Sequence, residues 1–349
     1  MKVSVVMVTY NQEAYIAQAI EGVLMQQTGF PVELVIGEDC STDGTRAIIE
    51  QFQAKYPDRI RAAFRDTNLG GAENFRQAYD SATGEYIALC EGDDYWTDPL
   101  KLQKQVAFLD AHPEYSFSFH NVNVLDQATG TVKHHLAPGT MQPRYTVANL
   151  FSGNFIQSCS VVYRRCNLPA LPDWLQKLPI GDWPIHMLHA EHGPIHYQDE
   201  IMGVYRILSS GAWANRSAAY RIERSISTAL LFNAALGGKY SGRLGATVVN
   251  WYNTLMDIHQ QQGELRTAFN YMFKALEEVT EPALHSPFLT RYLSLFIDMI
   301  ATLITEGKNE EAFSLYTSHA DRLPFVAELR KMDAIMTNLK EKLAGAAVS

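Results

Sequence analysis

Four short apolar runs, alternating with three stretches of helical spacing, fill the first ninety residues and leave little choice of architecture. In Val3-Ser4-Val5-Val6-Met7-Val8 the apolar residues are nearly consecutive rather than alternate, which suits a strand covered on both faces. Residues 12–27 then put Tyr15, Ile16, Ala19, Ile20, Val23 and Leu24 on one face of a helix. The pattern continues with a strand over 32–36 and a helix reaching residue 56, for which Ser41, Thr42 and Asp43 offer caps. A strand over 60–64 leads through Asn68-Leu69-Gly70-Gly71 into a helix ending near 82, and a fourth strand covers 86–90. Such alternation implies parallel βαβ units with right-handed crossovers and helices on both faces of the sheet. Ligands of such sheets bind beyond the carboxyl ends of the strands, where this chain places its polar tracts.

A helix is expected over 98–111, an alternating strand over 116–122 and a further strand over 158–163, while 139–184 is rich in Pro and Gly and reads as loops around a site. Beyond 217 apolar residues recur at helical spacing. The expected organisation is an α/β domain over 1–215 and an all-α domain over 216–349. Gly263-Glu264-Leu265-Arg266-Thr267-Ala268 and Gly307-Lys308-Asn309-Glu310-Glu311-Ala312 look alike and lie 44 residues apart. They suit either tetratricopeptide-type helical hairpins or an irregular helical bundle.

With 349 residues, 47% of them hydrophobic, the chain can bury a large core and divide into two domains. Lys plus Arg number 29 against 38 Asp plus Glu, a net charge of -9, and no basic stretch offers a footprint for a phosphate backbone, so nucleic acid is not an expected partner. The amino terminus turns polar at Thr9, too early for a signal peptide, and the apolar helix expected over 293–304 is broken by Asp298 and shorter than the ~20 residues of a membrane span. A cytoplasmic protein is expected, with a peripheral seat on the inner face of the membrane compatible with the same features. Cys40, Cys90, Cys159 and Cys166 form no CxxC pair, which fits a reduced compartment and argues against structural zinc. His186, His189 and His192 recur every three residues on an expected helix; they are either gathered ligands or ordinary helix histidines, and positions six apart point in different directions.

Glu91-Gly92-Asp93-Asp94-Tyr95-Trp96 packs three carboxylates into four positions at a strand end. Carboxylates held this close repel one another, so the tract is either a solvated turn or the seat of a divalent cation. Thr9-Tyr10-Asn11 follows the first strand, and Glu38-Asp39-Cys40-Ser41-Thr42-Asp43-Gly44-Thr45 follows the second. With Gly84-Glu85-Tyr86-Ile87 and Ile180-Gly181-Asp182-Trp183, these tracts resemble the family 2 glycosyltransferases of the GT-A fold. That family opens with a strand and T-Y-N, continues with a D-D-x-S-x-D-G-T tract and then a D-x-D-D tract. The resemblance covers roughly residues 1–210.

The resemblance implies a Rossmann-like, mostly parallel sheet flanked by helices, followed here by the all-α region. It implies an inverting transferase that moves a hexose or N-acetylhexosamine from a nucleoside diphosphate, UDP in the first instance, to a hydroxyl of a glycan, lipid-linked or protein acceptor. Asp39 would accept a hydrogen bond from the base, and Thr9, Tyr10 and Asn11 would wall the base and ribose. Asp93, with Asp94 close by, would hold Mn2+ or Mg2+ against the diphosphate. Glu91 stands where the family more often has aspartate, which moves it toward supporting the site. Asp182 matches the catalytic base; its alternative role is to cap the following helix. Arg206 in Val204-Tyr205-Arg206-Ile207-Leu208 fits a phosphate-facing arginine, while Leu208 stands in place of a usual histidine, so that either the metal has fewer protein ligands here or His120, His186 or a loop residue substitutes. Asn74 retains one half of the family's R-N pair, Glu73 taking the other position, and so stays near the donor sugar. Gly211-Ala212-Trp213 is either a lid or acceptor wall, or an ordinary surface aromatic. The helical domain is a candidate surface for acceptor binding or homo-oligomer formation.

Two other readings stay open. A sugar-nucleotide hydrolase or nucleotidyltransferase would share the scaffold, although Asn11-Gln12-Glu13 stands where the latter would carry a Gly-rich basic loop. A degenerate transferase acting as a binding module would be expected to have lost some of Asp39, Asp93, Asp94 and Asp182. Dinucleotide binding is set aside because no GxGxxG follows the first strand.

Overall fold

The structure, a computed structural model, describes residues 1–136, 141–209, 216–279, 286–320 and 337. Strands β1 (Val3–Thr9), β2 (Val32–Glu38), β3 (Ile60–Phe64) and β4 (Tyr86–Leu89) alternate with helices α1 (Ile16–Leu24), α2 (Thr45–Lys55) and α3 (Gly71–Ser81). The four strands pair in parallel in the order β3-β2-β1-β4, with Val3 beside both Val32 and Tyr86. Val3, Val5 and Met7 of β1 lie in one buried cluster with Ile16, Ala19, Ile20 and Val23 of α1 and Ile49 of α2, while α3 packs on β1 and β2. Burial on both faces is why β1 is apolar at nearly every position.

The chain then adds β5 (Tyr95–Trp96), α4 (Lys101–Ala111), β6 (Phe117–Asp126), β7 (Thr131–His134), β8 (Arg144–Tyr145), α5 (Val147–Leu150), β9 (Val162–Arg164), α6 (Asp182–Ala190) and β10 (Ile195–Ile207). These extend the sheet to ten strands in the order β3-β2-β1-β4-β9-β6-β10-β5, with β7 on β6 and β8 on β10. β9 runs antiparallel to β4 and β6, and β10 parallel to β6, so the far half of the sheet is mixed. The strand expected over 158–163 is split, residues 158–160 forming a 3-10 turn before β9 begins. Helix α1 starts at Ile16 rather than 12, because residues 12–15 form a turn in which the Tyr15 amide donates to the Gln12 carbonyl (2.9 Å).

Two compact units result, Met1–Leu244 and Gly245–Ser349. Helix α7 (Ala218–Ala235) lies within the first, and α8 (Ser241–Gln261) begins there. In the second, α9 (Leu265–Glu278), α10 (Ser286–Thr305) and α11 (Asn309–Ala320) follow. The two look-alike segments occupy the α8–α9 and α10–α11 turns. Gly263 and Gly307 each have φ of 77°, and the next amide reaches back five residues, Glu264 to the His259 carbonyl and Lys308 to that of Leu303. This left-handed C-terminal turn requires glycine at both places. Among the described residues no helix is long and apolar enough to cross a membrane.

Two features of the first unit are testable through stability. A Cβ on Gly22, inside α1, would stand 2.9 Å from the Trp96 amide nitrogen of β5. Glycine in a helix ordinarily costs ~1 kcal/mol relative to alanine, but overpacking against backbone costs ~1–3 kcal/mol. Gly22→Ala therefore lowers Tm by a few degrees in calorimetry; a rise would contradict the close packing of α1 on β5. Lys101 is fully buried, its Nζ 3.9 Å from the Trp96 ring centroid, and burial pushes its pKa down to about 7. The native state thus binds fewer protons than the unfolded chain between that value and the ordinary one near 10.5, so this residue's contribution improves as pH rises through that window. Lys101→Met raises Tm at pH 6, and the gain shrinks toward pH 10. A gain that does not depend on pH would sink this account.

Candidate active site

The carboxyl ends of β1, β2 and β4 stand side by side. Thr9 pairs with Glu38, the Asp39 amide donates to the Thr9 carbonyl (3.1 Å), and the Gly92 amide donates to the Val8 carbonyl (3.0 Å). The chain leaves β1 and β2 through Asn11 (φ 52°) and Cys40 (φ 61°), both in the left-handed region that asparagine tolerates better than cysteine. The two tracts are then laced together. The Asn11 side-chain oxygen accepts from the Thr42 amide (2.8 Å), the Glu13 carboxylate from the Gly44 amide (2.6 Å), and the Asp43 carboxylate from the Glu13 and Thr45 amides (3.1 and 3.0 Å). Glu38, fully buried, accepts from the Ser41 amide and pairs with Arg46.

Asp39 is buried with both carboxylate oxygens engaged, Oδ1 by the Leu69 amide (2.7 Å) and Oδ2 by the Gly70 amide (3.0 Å) at the entrance to α3. Asn74 is also buried. Its amide donates to the Gly37 carbonyl (2.8 Å), and its oxygen accepts from Arg65 (3.3 Å), so it clamps α3 onto β2. Thr9 is buried with its hydroxyl on Gln12 Oε1 (2.7 Å), whereas Tyr10 is 45% exposed.

The acidic tract divides by environment. Asp94 is buried: its Oδ1 accepts from the Arg206 amide (2.8 Å) and its carboxylate also takes the Cys159 thiol, while burial and the Asp93 and Glu91 charges hold it well above the usual carboxylate range. Asp93 is half-buried, raised by burial and opposed by a hydrogen bond from Gln12 and by the charge of Arg206. Burial, with Asp93 and Asp182 adding repulsion, pushes Glu91 up to about 7 despite a hydrogen bond from Ser158. Its Oε2 is buried without a hydrogen-bond partner. Arg206 uses both terminal nitrogens on its surroundings, while its Nε is buried without a hydrogen-bond partner. One Nη donates to the Asp93 carbonyl (2.8 Å), the other to Gln18, and the guanidinium lies between the rings of Tyr15 (4.9 Å) and Tyr95 (4.6 Å).

Asp182 opens α6, but the capping position is Gly181 and carries no side-chain cap. Its Oδ1 instead accepts from the Trp183 amide (2.7 Å) and its Oδ2 from Asn154 Nδ2 (2.9 Å). Two cavities meet at this residue. One of ≈ 470 Å³ is lined by Val8, Leu89, Phe75 and Leu175, on the side of the strand ends. The other, of ≈ 750 Å³, is lined by His135, Asn154, Ser158, Tyr205, Tyr220 and Arg221 among others. Glu91, Gly181 and Asp182 line both.

Among the described residues no group of three or more His, Cys, Asp and Glu side chains is gathered to hold a metal ion. Mg2+ and Mn2+ on a diphosphate ask for less, one or two carboxylates with the phosphates completing the shell, and the orphaned oxygen of Glu91 beside half-buried Asp93 fits that demand. His186 and His189 are fully buried and His192 is exposed, so the three do not converge. His186 bonds the Tyr163 hydroxyl, and burial pushes both buried rings' pKa values down. His120 is buried on β6 with Nδ1 against the Asn121 carbonyl, and Leu208 is buried. Gly211-Ala212-Trp213 lies outside the described residues. The sequence reading missed Gln12, Gln18, Asn154 and Ser158, the last three being polar residues tied to the tracts only by long-range folding. For Gln12 there was a usable signal, since it directly follows Asn11.

The family model Glycosyl transferase family 2 matches residues 4–166. An uncharacterized protein of Mycobacterium tuberculosis, Rv1520, is 45% identical over 210 residues, covering 60% of this chain and 60% of that relative's length. Among solved structures, Staphylococcus aureus TarS in complex with UDP-GlcNAc aligns with a TM-score of 0.58 at 18% identity, covering 82% of this chain and 83% of that one. The mannosyltransferase PcManGT of Pyrobaculum calidifontis, in complex with GDP-Man and Mn2+, aligns at 0.51 and 16% identity over 84% and 80%. The strand-end acidic tract, the mixed helix-flanked sheet and these matches agree: residues 4–166 match the glycosyl transferase family 2 model, and the chain has the GT-A fold with an added C-terminal helical region.

Proposed function

We propose that this protein is an inverting, divalent-metal-dependent glycosyltransferase that moves a sugar from a nucleoside-diphosphate donor, UDP in our reading, to an acceptor hydroxyl, with Asp182 as general base. The observation that carries the reading is the position of Asp182 on the wall shared by the two cavities, next to Glu91 and the acidic tract. A donor in the strand-end groove and an acceptor in the larger cleft would meet there. The nucleotide sugars and the Mn2+ ion in the TarS and PcManGT complexes support the donor class and the metal.

The acceptor hydroxyl gives its proton to Asp182 as its oxygen attacks the anomeric carbon opposite the departing diphosphate, one displacement that inverts configuration. Asn154 and the Trp183 amide fix the carboxylate's orientation for that transfer. Asp93 would hold the metal ion, and Asp94, anchored to β10, sets the turn that presents it. When bound, the ion would neutralise charge on the leaving diphosphate. Asp39, its oxygens fixed by the Leu69 and Gly70 amides, keeps lone pairs for a base N–H. Tyr10 walls the base and ribose, with Thr9 and Asn11 setting its backbone. Arg206 and Asn74 act by positioning the tract and α3. The reaction belongs to the cytoplasm, where nucleotide sugars are made.

General-base help is worth ~10²–10⁴ in rate. Asp182→Asn therefore lowers kcat by about that factor while the donor's dissociation constant stays unchanged; turnover close to wild type would remove Asp182 from this role. Following product with and without acceptor separates transfer from hydrolysis, and an absence of turnover with every donor tried would favour a binding module. In thermal unfolding, UDP plus Mn2+ raises the midpoint more than other nucleoside diphosphates do, since a ligand bound only by the folded state stabilises it by ~2.7 kcal/mol at a hundred times its dissociation constant. Asp93→Ala abolishes the part of the shift that needs Mn2+. An equal shift in EDTA would contradict the metal assignment.

A further inference from the structure

In a chain with 38 acidic and 29 basic residues, arginines tend to find carboxylates, as Arg46, Arg61 and Arg76 do with Glu38, Glu33 and Glu73. Arg216 and Arg221 do not. Both line the ≈ 750 Å³ cavity, and among the described residues neither guanidinium has an ion-pair or hydrogen-bond partner. Arg216 only rests over the Tyr220 ring at 5.3 Å. They flank the start of α7, where Ser217 caps the helix by accepting from the Tyr220 amide (3.1 Å) and no acidic residue stands in the first turn. The helix end adds partial positive charge to the two guanidinium groups. The cleft is therefore polarised, with Glu91 and Asp182 at the reaction centre and the cations on the α7 wall. Tyr205 and Tyr220 offer ring faces between them.

Acidic groups at the reaction centre repel an incoming anion, by ~1 kcal/mol per pair at 4 Å in water and ~4 kcal/mol near a protein surface. Two unpaired arginines in the same cleft reverse that balance at its other end and orient the bound molecule. We propose that the acceptor is anionic, its negative group binding Arg216 and Arg221 while its hydroxyl reaches Asp182. This rests on the glycosyltransferase reading above. Planar guanidinium groups suit the oxygens of a phosphodiester or of a carboxylate, the shared chemistry being an oxyanion one or more sugar-sized units from the nucleophile.

The test uses the full chain saturated with UDP and Mn2+, titrated calorimetrically with three probes: glycerophosphoglycerol (a phosphodiester with free hydroxyls), methyl glucuronoside and the neutral methyl glucoside. The anionic probes bind at least ~10-fold more tightly than the neutral one, and the tighter of the two identifies the source of the charge. Arg216→Gln and Arg221→Gln each weaken the anionic probes by about tenfold and leave the neutral probe and the UDP-Mn2+ thermal shift unchanged. Equal binding of charged and neutral probes overturns the proposal. So does loss of the UDP shift in the arginine variants with unliganded melting intact, which would hand these residues to the donor. A wild-type chain with no UDP shift at all instead sinks the glycosyltransferase reading, so the two failures are distinguishable.

Discussion

Arg206 joins the two halves of the sheet at the point where the acidic tract would otherwise push itself apart. The β10–β5 register sets Val204 against Tyr95, so two residues further Arg206 comes opposite Asp93 and Asp94. Its amide holds the Asp94 carboxylate and its side chain holds the Asp93 carbonyl, so backbone and guanidinium act on neighbouring residues at once. Tyr15, Tyr95 and Gln18 fix the guanidinium in turn, which ties α1 to the same point. A hydrogen bond to a charged group typically contributes ~1.5–3 kcal/mol, which fits a tract held in a set shape. The frame answers part of the tract's repulsion and leaves Glu91 Oε2 without a partner.

The polar residues around the groove divide by what their hydrogen-bonding groups already do. Asn11, Glu38, Asp43 and Asn74 bond mainly to backbone amides and carbonyls of neighbouring loops and strands, and so build the rim. Glu91 and Asp182 line both cavities, Glu91 with one oxygen unpartnered, while Asp93 is half-buried and Tyr10 exposed. Conformational cost is concentrated at the same rim, in the left-handed backbone of Asn11 and Cys40. Such strain persists only where surrounding contacts over-determine it, and the bonds from Asn11 to Thr42 and from the Asn11 amide to Ser41 supply that determination.

The parallel half of the fold was legible because burial on both faces writes itself as uninterrupted apolar residues, and β1 to β4 fall close to where composition puts them. Strand β10 was not, although it is the longest in the sheet. Gln198, Asp199 and Glu200 interrupt its apolar pattern, and the register shifts between Gln198 and Ile201 and again before Gly203 destroy the two-residue period on which strand recognition rests. The 158–163 segment misled for a related reason, since Cys159 and Ser160 are buried in a 3-10 turn rather than in a ladder. In the site, the family-like tracts located the groove, but the division of labour within them was not readable. That Asp94 faces inward while Asp93 remains half-open depends on β10 and Cys159, more than sixty residues away in the chain.

The separation of Asp182 from Glu91 has a consequence for how one groove can handle acid and base chemistry together. Burial pushes the pKa of Glu91 up to about 7, whereas Asp182 stands in the first turn of α6, at the positive end of a helix, and accepts two hydrogen bonds. Carboxylates that share a cavity wall but not an environment can take different roles. The open, bonded and oriented one is suited to receive a proton. The buried one, with Oε2 unpartnered, would be free to help hold a cation there. The glutamate at position 91, where an aspartate would be usual, lines both cavities together with Asp182, and in the proposed reaction it would link the charge of a bound cation to the residue that takes the acceptor's proton.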